Sequence, residues 1–543
     1  MQAEVKDHVG IDSFEWKLDE NIKRLHEKIV ENKFQPSEAF KFKVPKPNKM
    51  QRTLTLLQVE DALVYQAFAN NIATDAFNEL KKTGSNSFGF AINDQVALGL
   101  DIFKEENPDY YFFKKYPAQY LKFSEKIKGN KLKYKLETDF TDYYDLISHE
   151  FLFQYLNEKF ISSDEILALF KSCLKEWVGK KNKYNTSTGI PQTEVASPFF
   201  ANLVLHELDL VMVEKGNPYC RYLDDIFVFS DDENELWDIH QQIDNFASER
   251  GMSLNPQKTS VEEFSSVDLL EMAPSGFEEF DDPIFDDIFV EDAERELGIE
   301  TWTDPDGPWG FYIMDTEEGR SLEKREKDEM IYGVFSEKCA DEIFASYHLI
   351  EKLQSEKDEL SKNQLSEIEK ACYRMKKLFK AMDEYHDPNV TIFLDDGIDF
   401  KMFLELLSKY IWKCKVICDV LSCYSRNNDL RKGMLEILHK FKNYEWVVYH
   451  VAKALYEHQK LEDTEIDDLL LLTGQTDSWF SKSFLYPLML KNCESDSRQL
   501  SLVKNNLFKE ENQQVLKNVI FNKYIGSNRF FTNEEIKEII RRN

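Results

Sequence analysis

Two adjacent carboxylates, Asp224 and Asp225, stand inside a strongly apolar run, RYLDDIFVFS, from Arg221 to Ser230. Hard cations such as Mg²⁺ bind through one or two carboxylates together with substrate phosphates. Two such ions can hold the attacking and leaving oxygens of a displacement at phosphorus. That chemistry requires a third acid from elsewhere in the chain. An acidic doublet alone is usually a solvated turn, and the chain has others, including Asp281-Asp282, Asp286-Asp287 and Asp395-Asp396. Asp224-Asp225 is set apart by strand-type residues on both sides, Tyr219 to Tyr222 and Ile226 to Phe229, which place the acids at the tip of a tight hairpin. Asp395-Asp396 has an apolar run only before it and Gly397 after it, so it reads as a turn ahead of a helix.

The third acid is Asp139, in KYKLETDFTDYYDLI. Lys133 to Phe140 reads as a strand with Asp139 at its end. Tyr143-Tyr144 then open a helix carrying Leu146, Ile147, Phe151 and Leu152. A lone Asp in such a place is more often a helix N-cap than a ligand. Between the acids lies STGIPQTEVASPFFANLVLHELD, Ser187 to Asp209. Gly189, Pro191 and Gln192 form a loop, and Ser197-Pro198 opens a helix that buries Phe200, Leu203, Val204 and Leu208. A glutamine in that loop suits contact with a sugar or base. Upstream, Phe40 to Leu56 reads as a hairpin carrying Lys46, Lys49 and Arg52, with Pro45 and Pro47 breaking any helix. Such a basic hairpin is suited to a triphosphate, and standing alone it is an exposed turn.

At 543 residues the chain exceeds one ordinary core and implies two or three domains. With 42% hydrophobic and 13% aromatic residues it has ample material for a folded interior. The net charge of -31 is unexpected for a protein that handles nucleic acid. Its distribution is uneven, because residues 262 to 300 hold fifteen acids against Arg295. Conversely, Lys114, Lys115, Lys122, Lys126, Lys128, Lys131, Lys133 and Lys135 face only Glu125 and alternate with aromatics. That run is either a solvated face or a nucleic-acid path formed by Lys122, Lys126, Lys128, Lys131 and Lys133. The eight cysteines show no CxxC pair and are expected to be free thiols of a reducing compartment. Neither a cleavable leader nor an apolar run of about 20 residues is evident, so a cytoplasmic protein without membrane contact is expected.

In order, VPKPNKMQR, LETDFTDYYDLI, GIPQTEVASPFFANLVLHELD, RYLDDIFVFS and GMSLNPQKTSV together resemble the fingers and palm of a reverse transcriptase over roughly residues 15 to 262. The resemblance implies an α+β fold, a right-hand polymerase fingers and palm, followed by a large all-α C-terminal domain. It implies metal ligation by Asp139 and Asp224 with Asp225 assisting. Tyr144 would be the aromatic gate against a ribose 2′-OH, Gln192 would line the incoming nucleotide, and Lys46 and Arg52 would hold its triphosphate. Lys258 would protonate the pyrophosphate leaving group. The implied cofactor is a pair of Mg²⁺ ions, with Mn²⁺ as the alternative. The implied partners are deoxynucleoside triphosphates, an RNA template or structured noncoding RNA, the DNA product, and a second copy or partner protein. Two departures stand out: Thr193 replaces the glycine that usually follows PQ, and no apolar primer-grip strand is evident after Val261.

The expected boundaries are 1–262 for fingers and palm, 263–334 for an acidic insertion rich in Phe and Trp, and 335–543 for helices. Helical periodicity recurs near 337–354, 358–382, 399–424, 428–440, 444–457, 464–473 and 511–523, with a capping box at Thr532 and Glu535. The acidic insertion is either solvated or an imitation of a nucleic-acid backbone. The helical half lacks an RNase H acid set and a Cys/His nuclease spacing. A polymerase core joined to such a half resembles the bacterial abortive-infection and defence-associated reverse transcriptases. Group II intron-like or retron-like enzymes, an RNA-directed RNA polymerase and a catalytically silent RNA-binding scaffold are the alternatives.

Overall fold

The computed structural model describes residues 11–93, 112–264, 301–303, 311–313, 340–384, 398–511, 515–519 and 531. Short breaks fall at 12–13, 16, 48, 84–85, 115, 179, 182–183, 193, 356–358, 424–426, 495–496, 512–514 and 517–518. The chain divides into two compact units, residues 1–41 with 53–273, and residues 42–52 with 274–543.

The first unit is built on a four-stranded antiparallel sheet. Its strands are β3 (Tyr134–Thr138), β4 (Tyr219–Tyr222), β5 (Asp225–Ser230) and β6 (Ser260–Glu263), in the spatial order β4-β5-β3-β6. From Ile226 to Ser230 every residue of β5 is buried, as expected of a central strand covered on both faces. Helix Glu233–Glu249 packs against β3 and β5, and helix Tyr116–Lys128 against β4. Behind these lies helix Val59–Leu80, which turns Val64, Tyr65, Phe68, Ala69, Ile72, Ala73 and Ala76 inward at helical spacing. Small Ala69, Ala73 and Ala76 permit a close approach, and Tyr65 stacks on Phe200 of helix Ala196–Val204 at 5.3 Å between ring centroids.

Two expected helices are each broken in two. The helix after Asp139 stops at Leu146 and restarts at His149. The carbonyls of Tyr144 and Ile147 accept from Ile190 and Gly189, and the His149 amide donates to Ser187, so this stretch hydrogen-bonds across to the 187–190 loop. Ser148 then caps the second helix by accepting from the Phe151 amide. The helix opened by Ser197-Pro198 bends by 44° between Val204 and His206, where helix His206–Lys215 begins. The Asn202 carbonyl, which an unbroken helix would offer to His206, lies 3.5 Å from the Arg221 guanidinium.

In the second unit the described helices are 340–355, Lys362–Glu384, Phe400–Lys409, Cys414–Leu421, Asn428–Lys440, Glu445–His458, Asp463–Gln475, Trp479–Asn492 and Arg498–Leu507. The single helix expected over 399–424 is two helices joined by a 3₁₀ turn, Ile411–Lys413. Trp479–Asn492 was not expected from periodicity, because it is buried almost all round and so has no polar face. Residues 42–52, the tip of the hairpin made by β1 (Phe40–Pro45) and β2 (Gln51–Leu56), belong to this unit. Phe42, 1% exposed, stacks on Phe480 at 4.7 Å and on Trp446 at 6.1 Å, and the Lys43 amide donates to Glu445. The acidic segment 265–300, Asp395-Asp396 and the capping box at Thr532 lie outside the described residues. No described helix is by itself long and apolar enough to cross a membrane.

Candidate active site

Tyr222 pairs with Asp225, which leaves Leu223 and Asp224 as a two-residue turn between β4 and β5. Leu223 sits at φ +59°, a left-handed conformation that costs a branched residue about 1–2 kcal/mol. Strain of this kind persists only where its surroundings impose it. Next to β5 in the sheet, β3 ends at Thr138, opposite Ile226, so Asp139 emerges beside the turn. Asp139 is 5% exposed.

Its backbone is tied to the segment that follows helix Glu233–Glu249. The Asp139 carbonyl accepts from the Asn255 amide at 2.8 Å, and the Thr141 amide donates to the Ser253 carbonyl at 2.8 Å. Thr138 and Thr259 share a hydroxyl hydrogen bond of 2.8 Å. This lacing delivers Lys258 to the acids: its Nζ donates to Asp139 Oδ2 and lies 3.8 Å from Asp225 Oδ1.

The electrostatics follow from crowding. Burial raises the Asp224 carboxyl above the ordinary carboxylate range, and the charges of Asp225 and Asp139 push it further the same way. Asp225 is raised by burial and by Asp139 and Glu137, against the opposing pull of Lys258, although half of its side chain meets solvent. Burial lowers the Lys258 ammonium, but the hydrogen bond to Asp139 and the charges of Asp225, Asp139 and Asp224 outweigh it and hold the group above its usual value. Three acids therefore face one cation, and Asp139 Oδ1 is buried without a hydrogen-bond partner.

That donor set fits divalent ions, which are hard, oxygen-seeking and able to relieve the repulsion that raises Asp224 and Asp225. Among the described residues no group of three His, Cys, Asp or Glu side chains is arranged as a ready cation site. In the arrangement seen, the ammonium of Lys258 is the cation between Asp139 and Asp225.

Tyr144 and Gln192 come together through backbone. The Tyr144 carbonyl accepts from Ile190 at 2.9 Å, just ahead of the Pro191-Gln192 loop, and both side chains are half-buried. Ser197 Oγ anchors the same loop by donating to the Pro191 carbonyl. Thr193 lies outside the described residues. Lys46 and Arg52 belong to the other unit, in the hairpin tip, where the Lys46 amide donates to Met50.

Of the lysine run, Lys122, Lys126, Lys131 and Lys133 are exposed. Lys126 donates to Asn86 and Lys133 lies 3.3 Å from Glu263, while Lys128 is placed in its helix by backbone only. Lys135, counted with the run, is instead 7% exposed and bonded to Glu137 at 2.9 Å. β6 pairs with β3 along its whole length and ends on two exposed glutamates, Glu262 and Glu263; the stretch beyond it, where no apolar primer-grip strand is evident in the sequence, lies outside the described residues.

Sequence reasoning passed over Arg221, Asn202 and Asp209, all fully buried around the turn. The available signal was a charged residue inside an apolar strand, which is rarely buried without a partner.

Residues 44–275 match the family described as reverse transcriptase (RNA-dependent DNA polymerase). A putative COX1/OXI3 intron 2 protein of Saccharomyces cerevisiae is 35% identical over 81 residues, 15% of this chain. The chain spans only 10% of that relative's length. Among solved structures, apo telomerase from Candida tropicalis matches 76% of this chain and 69% of its own at 13% identity and a TM-score of 0.31. Telomerase from Candida albicans in complex with a TWJ fragment of telomeric RNA matches 80% and 68% at 11% identity and a TM-score of 0.32. At those values the two structural likenesses add nothing to the family match. Residues 44–275 are a reverse transcriptase domain, of the RNA-directed DNA polymerase class of nucleotidyltransferases.

Proposed function

We propose that the whole chain synthesises DNA on an RNA template, with Asp139, Asp224 and Asp225 holding two divalent ions, Mg²⁺ or Mn²⁺. The observation that carries this reading is the convergence of the three acids and Lys258 at the end of β3 and the β4-β5 turn. When bound, the ions offset the charge that develops on the phosphoryl oxygens. Lys258, kept protonated by its acidic neighbours, stands at the site as a general acid able to give a proton to the departing pyrophosphate. Tyr144 narrows the space for a ribose 2′-OH, and Gln192, in the loop hydrogen-bonded to the Tyr144 carbonyl, meets the nucleotide's sugar or base.

The biological setting we infer is bacterial anti-phage defence, with a noncoding RNA or a protein hydroxyl as primer. The long helical region after the polymerase core supports it by resemblance to the abortive-infection group. A second reading, an intron-type enzyme, is favoured by the 81-residue match to the yeast intron 2 protein.

The deciding experiment incubates purified protein, with and without co-purifying RNA, with Mg²⁺ and each labelled deoxynucleotide, beside an Asp224→Ala Asp225→Ala control. Label incorporated only by the wild type is expected. Retention on protein until protease treatment indicates protein priming, and loss after ribonuclease pretreatment indicates RNA as template, primer or cofactor. Equal incorporation by the double variant would sink the assignment. Phage sensitivity unchanged by the double variant would remove the catalytic defence role.

A further inference from the structure

Behind the acidic turn, three residues outside the chemistry just described meet in the interior of the first unit. Arg221, 0% exposed, shares its guanidinium among Asp209, Asn202 and Leu223. Its Nε and Nη2 donate to Asp209 Oδ1 and Oδ2 at 2.7 Å each, and Nη1 donates to Asn202 Oδ1 at 2.6 Å and to the Leu223 carbonyl at 2.9 Å. Asn202 continues the chain by donating through Nδ2 to the Gly89 carbonyl at 2.9 Å. The segment around Gly89 runs along the outer edge of β4. The Phe88 amide donates to the Arg221 carbonyl at 3.0 Å and the Arg221 amide to the Asn86 carbonyl at 2.9 Å. A Cβ on Gly89 would fall 2.7 Å from the Leu223 nitrogen and 3.2 Å from the Tyr222 carbonyl carbon, both backbone atoms.

Leu223 is thus held from two sides. Its nitrogen abuts the bare Cα of Gly89 and its carbonyl receives Arg221, while Asn202 links the two supports. Leu223 immediately precedes Asp224, and it is the residue in the strained left-handed conformation. We propose that Gly89, Asn202 and Arg221 are positioning residues that fix the height and orientation of the Asp224-Asp225 turn, and through it the affinity and placement of the ions. This rests on the reading that those acids hold the ions. A planar guanidinium with five fixed donors can serve Asp209, Asn202 and Leu223 at once, which a lysine cannot. A displacement of about 1 Å in a reacting group can cost about a hundredfold in rate.

The test uses the full chain as Gly89→Ala, which removes no hydrogen bond and no charge but pushes on the Leu223 amide. Asp224→Ala is run alongside. Four quantities are measured: kcat, KM for deoxynucleotide, the Mn²⁺ affinity of the nucleotide-free protein by electron paramagnetic resonance, and the thermal unfolding midpoint. The expected result is a kcat loss of about tenfold or more, a KM within about twofold, and a weakened Mn²⁺ affinity, with cooperative unfolding retained. If Gly89→Ala does not fold, Asn202→Asp replaces it, because the carboxylate keeps the acceptor facing Arg221 and loses the donor to Gly89. Wild-type kcat and Mn²⁺ affinity in the variant, with Asp224→Ala inactive, would overturn the positioning role alone. A lowered unfolding midpoint with unchanged Mn²⁺ affinity would also overturn it, reducing the residues to packing. Activity retained by Asp224→Ala would instead overturn the catalytic reading beneath it.

Discussion

Asp209→Ala tests how heavily the domain depends on a buried charge pair. Asp209 is 1% exposed and Arg221 0%, so the substitution leaves a guanidinium in the interior with no counter-charge. It also removes the acceptor of the Tyr219 hydroxyl, 2.8 Å away. Breaking such a pair on one side costs about 3–5 kcal/mol, most of it the penalty of the stranded ion. For a unit of this size each kcal/mol lowers the melting midpoint by about 2–4 °C, so a cost of about 4 kcal/mol predicts a fall of about 8–16 °C. Adding Arg221→Met removes the stranded charge. The double variant is then expected to be less destabilised than the sum of the two singles, by about 1–3 kcal/mol. Thermal melting followed by circular dichroism reads both quantities. A fall below about 2 °C in the single variant, or strict additivity in the pair, would refute the reasoning. Either would mean that water or a neighbouring group neutralises Arg221.

Three other outcomes are expected. Burial raises the carboxyl of Asp61, itself 2% exposed, from 3.8 to about 6. The folded state therefore binds the proton more tightly, and the Asp61 contribution to stability is full below about pH 3.8 and lost as pH rises through about 6; Asp61→Asn should flatten the melting midpoint over that window, and an unchanged pH profile would count against it. Phe42→Ala empties a site stacked against Phe480 and Trp446 and should destabilise the second unit by about 3–5 kcal/mol, measured by urea unfolding, whereas a loss under about 1 kcal/mol would show that those rings close the gap. Tyr144→Ala should lower discrimination against ribonucleotides by about tenfold or more in competing-substrate kinetics, and an unaltered ratio would remove Tyr144 from the gate.

What was readable in the sequence was whatever is decided locally. The β4-β5 hairpin needs only its two apolar runs and a two-residue turn, and β3 only its alternation and the acid at its end, so Asp139, Asp224 and Asp225 could be placed from neighbours a few positions away. The helix breaks at Ile147 and Leu205 were invisible because they are decided across the chain. The first is set by hydrogen bonds to Ser187, Gly189 and Ile190, and the second lies where the guanidinium of Arg221 approaches the Asn202 carbonyl. Arg221 stands inside an apolar strand, but its partners Asn202 and Asp209 lie on helices whose packing against that strand its neighbours in the sequence do not decide. The second unit shows the same division. Amphipathic helices such as Asn428–Lys440 announce themselves, whereas Trp479–Asn492, buried on nearly every side, does not.

The hairpin tip also constrains how the protein can be made. Phe42 leaves the ribosome well ahead of the residues that bury it, Trp446 and Phe480, and the hydrogen bond from Lys43 to Glu445 spans 402 positions. At about 5–20 residues per second, synthesis leaves this aromatic segment without its packing partners for roughly 20–80 s. During that interval the strand carrying Phe40, Phe42 and Val44 is open to other chains or to a chaperone. The domain that carries the acids can condense while its hairpin tip still waits, so completion of the helical half is the event that retires an aggregation-prone edge.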